Sequence, residues 1–191
     1  MSNSHTRPPS TSGESGRVIV VSGPPGAGKS TIARRVADAL SPSVHLHADD
    51  FWSYIRQGWI APYLPEAHRQ NSTVIGVLAN SAFGYAAGGY HVICDGVVGP
   101  WFLDVFRAAS TTSVIELHYV VLRPDRATTL RRAVARTAAD ALTDPEPIQS
   151  LHEQFSSLDN LEPHVLDSSH IDAAATTEIV LRSLTEGRYR L

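Results

Sequence analysis

The chain has 191 residues, 42% hydrophobic and 18% charged, with a formal net charge of −3 and one cysteine, Cys94. This size fits a single domain with a full core; the lone cysteine excludes an intrachain disulfide and points to a reducing cytoplasm. No stretch is long and apolar enough to span a bilayer, and the acidic balance argues against nucleic acid, whose counterions a basic surface must displace.

Residues 1–16 are rich in Ser, Thr, Pro and Gly and lack an apolar signal-like segment, so they read as a disordered tail ahead of a domain over 17–191. Arg17–Ser22 is a β-branched run of the kind that forms a buried parallel strand. From Lys29, Ile32, Val36 and Leu40 recur at helical spacing, and Ser41-Pro42 stops the helix. Val44–His47 is a second strand, residues 51–65 are aromatic and irregular, and Glu66–Ala87 is a long helix closed by Gly88-Gly89. His91–Asp95 is a third strand, Trp101–Ala109 a short helix, and Val114–Leu122 a fourth strand. A helix opening at Pro124 and running to about Ala138 meets a polar, proline-bearing lid at about 137–147. Ile148–Leu158 is helical, His164–Asp167 a fifth strand and Asp172–Leu184 the closing helix. This alternation predicts an α/β fold, a parallel sheet with helices on both faces.

The first loop carries the strongest signal. Gly23-Pro24-Pro25-Gly26-Ala27-Gly28-Lys29-Ser30-Thr31 matches the Walker A pattern G-x-x-x-x-G-K-[ST], with a strand before it and an amphipathic helix after it. Gly23, Gly26, Ala27 and Gly28 let successive amides face one anion, and the helix N-terminus adds partial positive charge. Lys29 can reach the β- and γ-phosphates of a nucleotide, Ser30 can ligate Mg²⁺, and Thr31 can cap the helix or meet the α-phosphate. The pattern predicts nucleotide binding; no N-K-x-D guanine motif accompanies it, which favours ATP.

In an open α/β sheet, ligands sit beyond the carboxyl ends of the strands. Asp49 and Asp50 follow the second strand there. One carboxylate can take a proton from an attacking hydroxyl, with Asp49 favoured as base and as a Mg²⁺ partner through water; one of the two can instead cap the next helix. His47 can position substrate or simply pack. Asp95 ends the third strand and can orient the metal's water shell or the attacking group, unless Asp95-Gly96 is only a turn. Arg131 or Arg132 can face the nucleotide, and Arg136 can close over it as a lid residue. Trp52, Trp59 and Trp101 offer flat surfaces for a planar or sugar-like acceptor, although core packing is the default for any one of them. The nine histidines show no zinc spacing.

Taken together, the loop, Asp49-Asp50, the arginine helix and the polar lid resemble the small P-loop kinases: shikimate and gluconate kinases, chloramphenicol phosphotransferase and zeta-toxin kinases. The match is nearest to bacterial proteins of this size described as kinases or as AAA-type ATPase-like, through His45–Asp50, Cys94–Val98 and His152–Phe155. The resemblance implies a three-layer P-loop NTPase fold with strand order 2-3-1-4-5. It also implies Mg-ATP at Lys29 and Ser30, a base at Asp49, an adenine- or phosphate-contacting arginine at 131 or 132, and a lid arginine at 136. Asp95-Gly96-Val97 stands where shikimate kinases carry a glycine triplet, so no named acceptor carries over. The expectation is a cytoplasmic ATP-dependent kinase, monomeric or dimeric, acting on a hydroxyl-bearing small molecule and binding neither membrane nor nucleic acid. The competing expectation is an ATP-driven switch acting through a partner.

Overall fold

The computed structural model describes residues 16–135 and 142–191. The tail expected over 1–15, Arg136 and the part of the expected lid over 137–141 lie outside the described residues. Five strands form one parallel sheet: β1 (Val18–Ser22), β2 (Ser43–His47), β3 (His91–Asp95), β4 (Leu117–Leu122) and β5 (Val165–Leu166), in the order β2-β3-β1-β4-β5. This is the order expected.

The central strands read as unbroken apolar runs because both faces of the sheet are covered. Along β1 the side chains alternate between two cores. Val18 and Val20 pack with Val92, Cys94, Tyr119 and residues of α3 (His68–Ala87) and α4 (Leu103–Ser113). Ile19 and Val21 pack with Ile93, Val120 and residues of α1 (Lys29–Ala39) and α7 (Ala173–Thr185). Each fully buried aliphatic side chain contributes about 1.5–3 kcal/mol, so the two cores together fix the register that places the strand ends. Cys94 is fully buried, and burial pushes its thiol pKa well up; it packs as a small hydrophobe.

Several boundaries differ from the sequence reading for local reasons. A short helix, α2 (Ala48–Ser53), replaces the start of the expected irregular segment. The expected helix over Trp101–Ala109 begins with a 3₁₀ turn at Pro100–Phe102 and runs on to Ser113. Its Thr111, Thr112 and Ser113 hydroxyls donate to the carbonyls of Arg107, Ala108 and Ala109, so these residues extend the helix rather than break it. Val114 then turns at φ 55°, and β4 starts only at Leu117. Asp125 caps α5 (Arg126–Val134) and Asp144 caps α6 (Pro145–Gln154), which sets both starts away from the expected ones. The fifth strand shrinks to two residues, and the lower part of β4 pairs instead with the C-terminal segment: Tyr119 donates its amide to Tyr189 and Leu191 donates to Leu117.

Arg123, just past β4, belongs to the scaffold. Its guanidinium donates to both carboxylate oxygens of Glu162 at 2.9 Å and to the carbonyl of Phe155 at 2.9 Å. The Arg123 hydrogen bonds, and then that from the Leu158 amide, hold the Glu162 carboxyl at about 2 against an ordinary 4.5. Because the folded value is depressed, this contribution is full above about pH 4.5 and is lost as the pH falls toward 2. Arg123→Gln is expected to lower the thermal midpoint by a few degrees at pH 7, with the deficit shrinking through that window in pH-resolved denaturation. A deficit independent of pH would show that the ion pair does not contribute in this way.

Candidate active site at the carboxyl ends of β1, β2 and β3

The loop between β1 and α1 is shaped by backbone constraints. Gly23 sits at φ 136°, and a Cβ there would lie 2.1 Å from the carbonyl oxygen of Leu122 on the neighbouring strand. Gly26 sits at φ 85° against Thr129 and Ala133 of α5, where a Cβ would come within 2.4 Å of the Thr129 carbonyl oxygen. Gly28, the cap position of α1, takes φ 92° with nothing within 4 Å of its would-be Cβ. The α5 helix therefore lies directly on the loop, and Gly28 faces open space.

The start of α1 stands apart from the other long helices. Asp125, Asp144 and Asp172 cap α5, α6 and α7 by accepting amide hydrogen bonds, and α3 and α4 grow out of 3₁₀ turns. Among the described residues no side-chain cap is seen on α1, and its first turn holds no acid. A helix start without a side-chain cap concentrates partial positive charge and suits an anion. Thr31 is exposed and does not cap the helix, so the expectation of a capping role is corrected. Lys29 is buried to 7% exposure and donates to the Pro24 carbonyl at 3.0 Å, folded back over the loop.

Three strand ends meet at Asp95, whose side chain is fully buried. In register, Val21 of β1 and His47 of β2 flank it. Ser30 donates its hydroxyl to Asp95 Oδ2 at 2.5 Å, and His45 Nε2 lies 2.6 Å from Oδ1. Burial alone would raise the Asp95 pKa. The hydrogen bonds from His45 and Ser30, and then the attraction of His47 and His45, outweigh it and hold the carboxyl below its usual range. Asp95-Gly96 is thus more than a turn. A Cβ on Gly96 would meet the Ala48 Cβ at 2.5 Å, so the glycine lets α2 press onto the end of β3. His47 bridges outward, its Nδ1 3.5 Å from Asp95 Oδ1 and its Nε2 3.9 Å from Asp49 Oδ2.

Asp49 and Asp50 lie exposed in the first turn of α2, and neither caps it: the cap position is His47, without a side-chain bond. The expected cap role for one member is corrected, because α2 starts one residue after β2 ends and leaves both acids already inside the helix. Behind the loop, Ser22 and Tyr119 both donate to the Val98 carbonyl, at 2.7 and 2.8 Å, and clamp the segment after β3 to β1.

Arg131 and Arg132 are exposed on α5. Arg131 reaches the Thr128 hydroxyl at 3.3 Å, while Arg132 points toward the Ser168 carbonyl at 3.5 Å, beside the loop after β5. Of the tryptophans, Trp52 donates its Nε1–H to Asn71 at 2.9 Å and so is tied to α3, whereas Trp59 and Trp101 are half exposed. Trp101 lies against Gly99 and 5.9 Å from the Phe155 ring. Gln70 bonds both the amide and the carbonyl of Ile60, docking the 55–65 loop on α3. Phe51, Tyr54, Ile60 and Val74 help line a groove of about 570 Å³ between α2, this loop and α3. The structure therefore brings Lys29, Ser30, Asp95, His47 and Asp49 to one edge. It leaves Trp59 on the outer loop, and Arg136 lies outside the described residues. The sequence reading gave His45 no role, although it opens the His45–Asp50 stretch of the resemblance and lies two residues before His47 on the same face of β2.

The donors at this edge, a serine hydroxyl and carboxylates, are the hard oxygens that magnesium takes. Among the described residues no cluster of three or more His, Cys, Asp or Glu could hold a metal by itself. No described helix is long and apolar enough to cross a membrane.

Comparison with known proteins places these features in a wider group. The AAA domain family matches residues 18–158. An unliganded sugar kinase from Janibacter sp. HTCC2649 superposes with a TM-score of 0.67 at 22% identity, covering 89% of this chain and 95% of its own. Shikimate kinase from Acinetobacter baumannii, in complex with shikimate, gives 0.64 at 20% identity over 91% and 96%. APS kinase from Mycobacterium tuberculosis, in complex with AMPPNP and APS, gives 0.66 at 15% identity over 91% and 99%. No curated protein matches the chain in sequence.

The loop geometry separates two glycines. Gly23→Ala is expected to prevent stable folding, since the clash is with strand backbone. Gly28→Ala should fold, at a strain cost of about 1–2 kcal/mol for the left-handed conformation. Urea denaturation of the two variants checks the order; equal losses would contradict the description of the loop.

Proposed function

The chain belongs to the AAA domain family, and we propose that it is an ATP-dependent phosphotransferase that moves the γ-phosphate of Mg-ATP to a hydroxyl group of a small molecule. The observation that carries this reading is the uncapped N-terminus of α1 facing the Ser30–Asp95 pair, with the exposed carboxylate of Asp49 linked to them through His47. An anion cradle, a metal-suited oxygen pair and a free carboxylate at one sheet edge are the parts that phosphoryl transfer needs.

In this reading the amides of 26–31 and Lys29 hold the triphosphate. Ser30 and Asp95 would hold Mg²⁺, and the ion would supply charge that offsets that of the phosphate oxygens. Asp49 accepts the proton of the acceptor hydroxyl as that oxygen bonds to the γ-phosphorus. The bond from the γ-phosphorus to the bridging oxygen breaks, and ADP leaves with the electron pair. Asp49 suits the base role because it is exposed where an acceptor arrives, while Asp95, buried and doubly hydrogen-bonded, suits the metal. Arg131 and Arg132 stand on the helix that covers the loop and serve the nucleotide. The mainly apolar groove between α2, the 55–65 loop and α3 favours an acceptor with an apolar portion.

Lys29→Ala is expected to weaken nucleotide binding and abolish transfer. Asp49→Asn should retain ATP binding and slow transfer about a hundredfold or more, the scale of losing a general base. ATP consumption against a panel of hydroxylated acceptors, apolar and sugar-like, is the measurement. Tight ATP binding with no acceptor-stimulated turnover would instead favour a nucleotide-driven switch, and full activity in Asp49→Asn would remove Asp49 from the chemistry.

A further inference from the structure

We propose that His45 is a positioning residue that sets the protein's affinity for the nucleotide-bound magnesium by fixing the carboxylate of Asp95; the inference rests on the nucleotide reading above. His45 is not part of the phosphate-binding motif and lies on β2, one strand removed from the loop strand. Its Nε2 is 2.6 Å from Asp95 Oδ1, while Ser30 holds Oδ2. Asp95 is an ionised carboxylate that can only accept, so Nε2 of His45 carries the hydrogen and donates it. The ring is only 22% exposed, and the carboxylate beside it is fully buried.

The two contacts divide the carboxylate. With Oδ1 held by His45, the torsion of the Asp95 side chain is fixed and Oδ2 stays turned toward the Ser30 hydroxyl, the group the motif offers to the metal. Without His45, Oδ1 would have only His47, whose Nδ1 is 3.5 Å away and makes no hydrogen bond. The buried carboxylate would then lose its strongest partner and turn to recover one. A neighbour that orients a metal-binding carboxylate is worth about 10–100-fold in metal affinity. His45 thereby links the edge strand of the sheet to the phosphate-loop helix through a single carboxylate.

The test is fluorescence titration of the full chain with methylanthraniloyl-ATP, first in EDTA and then at rising Mg²⁺. His45→Leu is expected to leave nucleotide affinity in EDTA unchanged and to raise the Mg²⁺ concentration for half-maximal enhancement about tenfold or more. His45→Gln, which keeps an N–H donor of similar reach, should recover most of the loss. In an Asp95→Asn background, His45→Leu should add nothing. Several outcomes would overturn the proposal: unchanged Mg²⁺ dependence in His45→Leu; equal losses with and without Mg²⁺, the mark of a merely structural role; no recovery in His45→Gln; or additivity with Asp95→Asn. Wild-type protein that binds no nucleotide under either condition would overturn the nucleotide reading itself, and this inference with it.

Discussion

A charged carboxylate at full burial is the constraint on which the active edge depends. Taking an ionised Asp95 out of water costs several kcal/mol unless its oxygens are bonded. It stays ionised because Ser30 arrives from the α1 side and His45 from β2. That arrangement exists only if β3 lies between β1 and β2 with Val21, Asp95 and His47 in register. The strand order and the site are therefore one requirement: a slip of one residue in either pairing would turn Asp95 or His45 to the opposite face and leave a buried charge without partners.

The second constraint is electrostatic in the other sense. Aspartates cap α5, α6 and α7, and among the described residues α1 has no side-chain cap. An uncapped helix start held rigidly by Gly23, Gly26 and the Ser22–Val98–Tyr119 clamp is a place where stability has been left unclaimed. An anion arriving there supplies the missing cap, so its binding and the stability of α1 are coupled. The buried Lys29 and the oxygen pair at Ser30 and Asp95 lie at the same end of that helix, so a cation and hard oxygen atoms flank its start together.

Much of this was legible in the sequence where the determinant is local. The phosphate loop announces itself in nine consecutive residues, and the alternation of β-branched runs with helical spacing gave the layered parallel sheet. What depended on register was not legible. His45 gains its partner only through the strand that lies beside it, and Asp95, read first as a functional acid, had simple turn chemistry as its alternative. Arg123, in the same arginine-rich stretch as Arg131 and Arg132, proves to be scaffold because Glu162, far along the chain, folds back onto it. The hydroxyl-rich end of α4 read as a stop because its Ser and Thr side chains have a second option, bonding back to their own helix, that composition does not reveal.

The segment between β2 and β3 is where the chain departs most from a minimal crossover, and its construction bears on selectivity. A loop of this length, rich in Pro and Gly, would ordinarily be held loosely. Here Gln70 mimics a strand neighbour by pairing with both backbone groups of Ile60, and Asn71 joins Trp52 to the Pro62 carbonyl. These are side-chain substitutes for sheet bonds, and all of them are anchored on α3, whose buried stripe runs from Asn71 through Ile75, Leu78 and Ala82 into the core. The groove lined by Phe51, Tyr54, Ile60 and Val74 is thus pre-shaped rather than assembled by an arriving ligand, which lowers the ordering cost of binding. Any ligand this groove takes meets a surface whose shape and apolar contact are already in place.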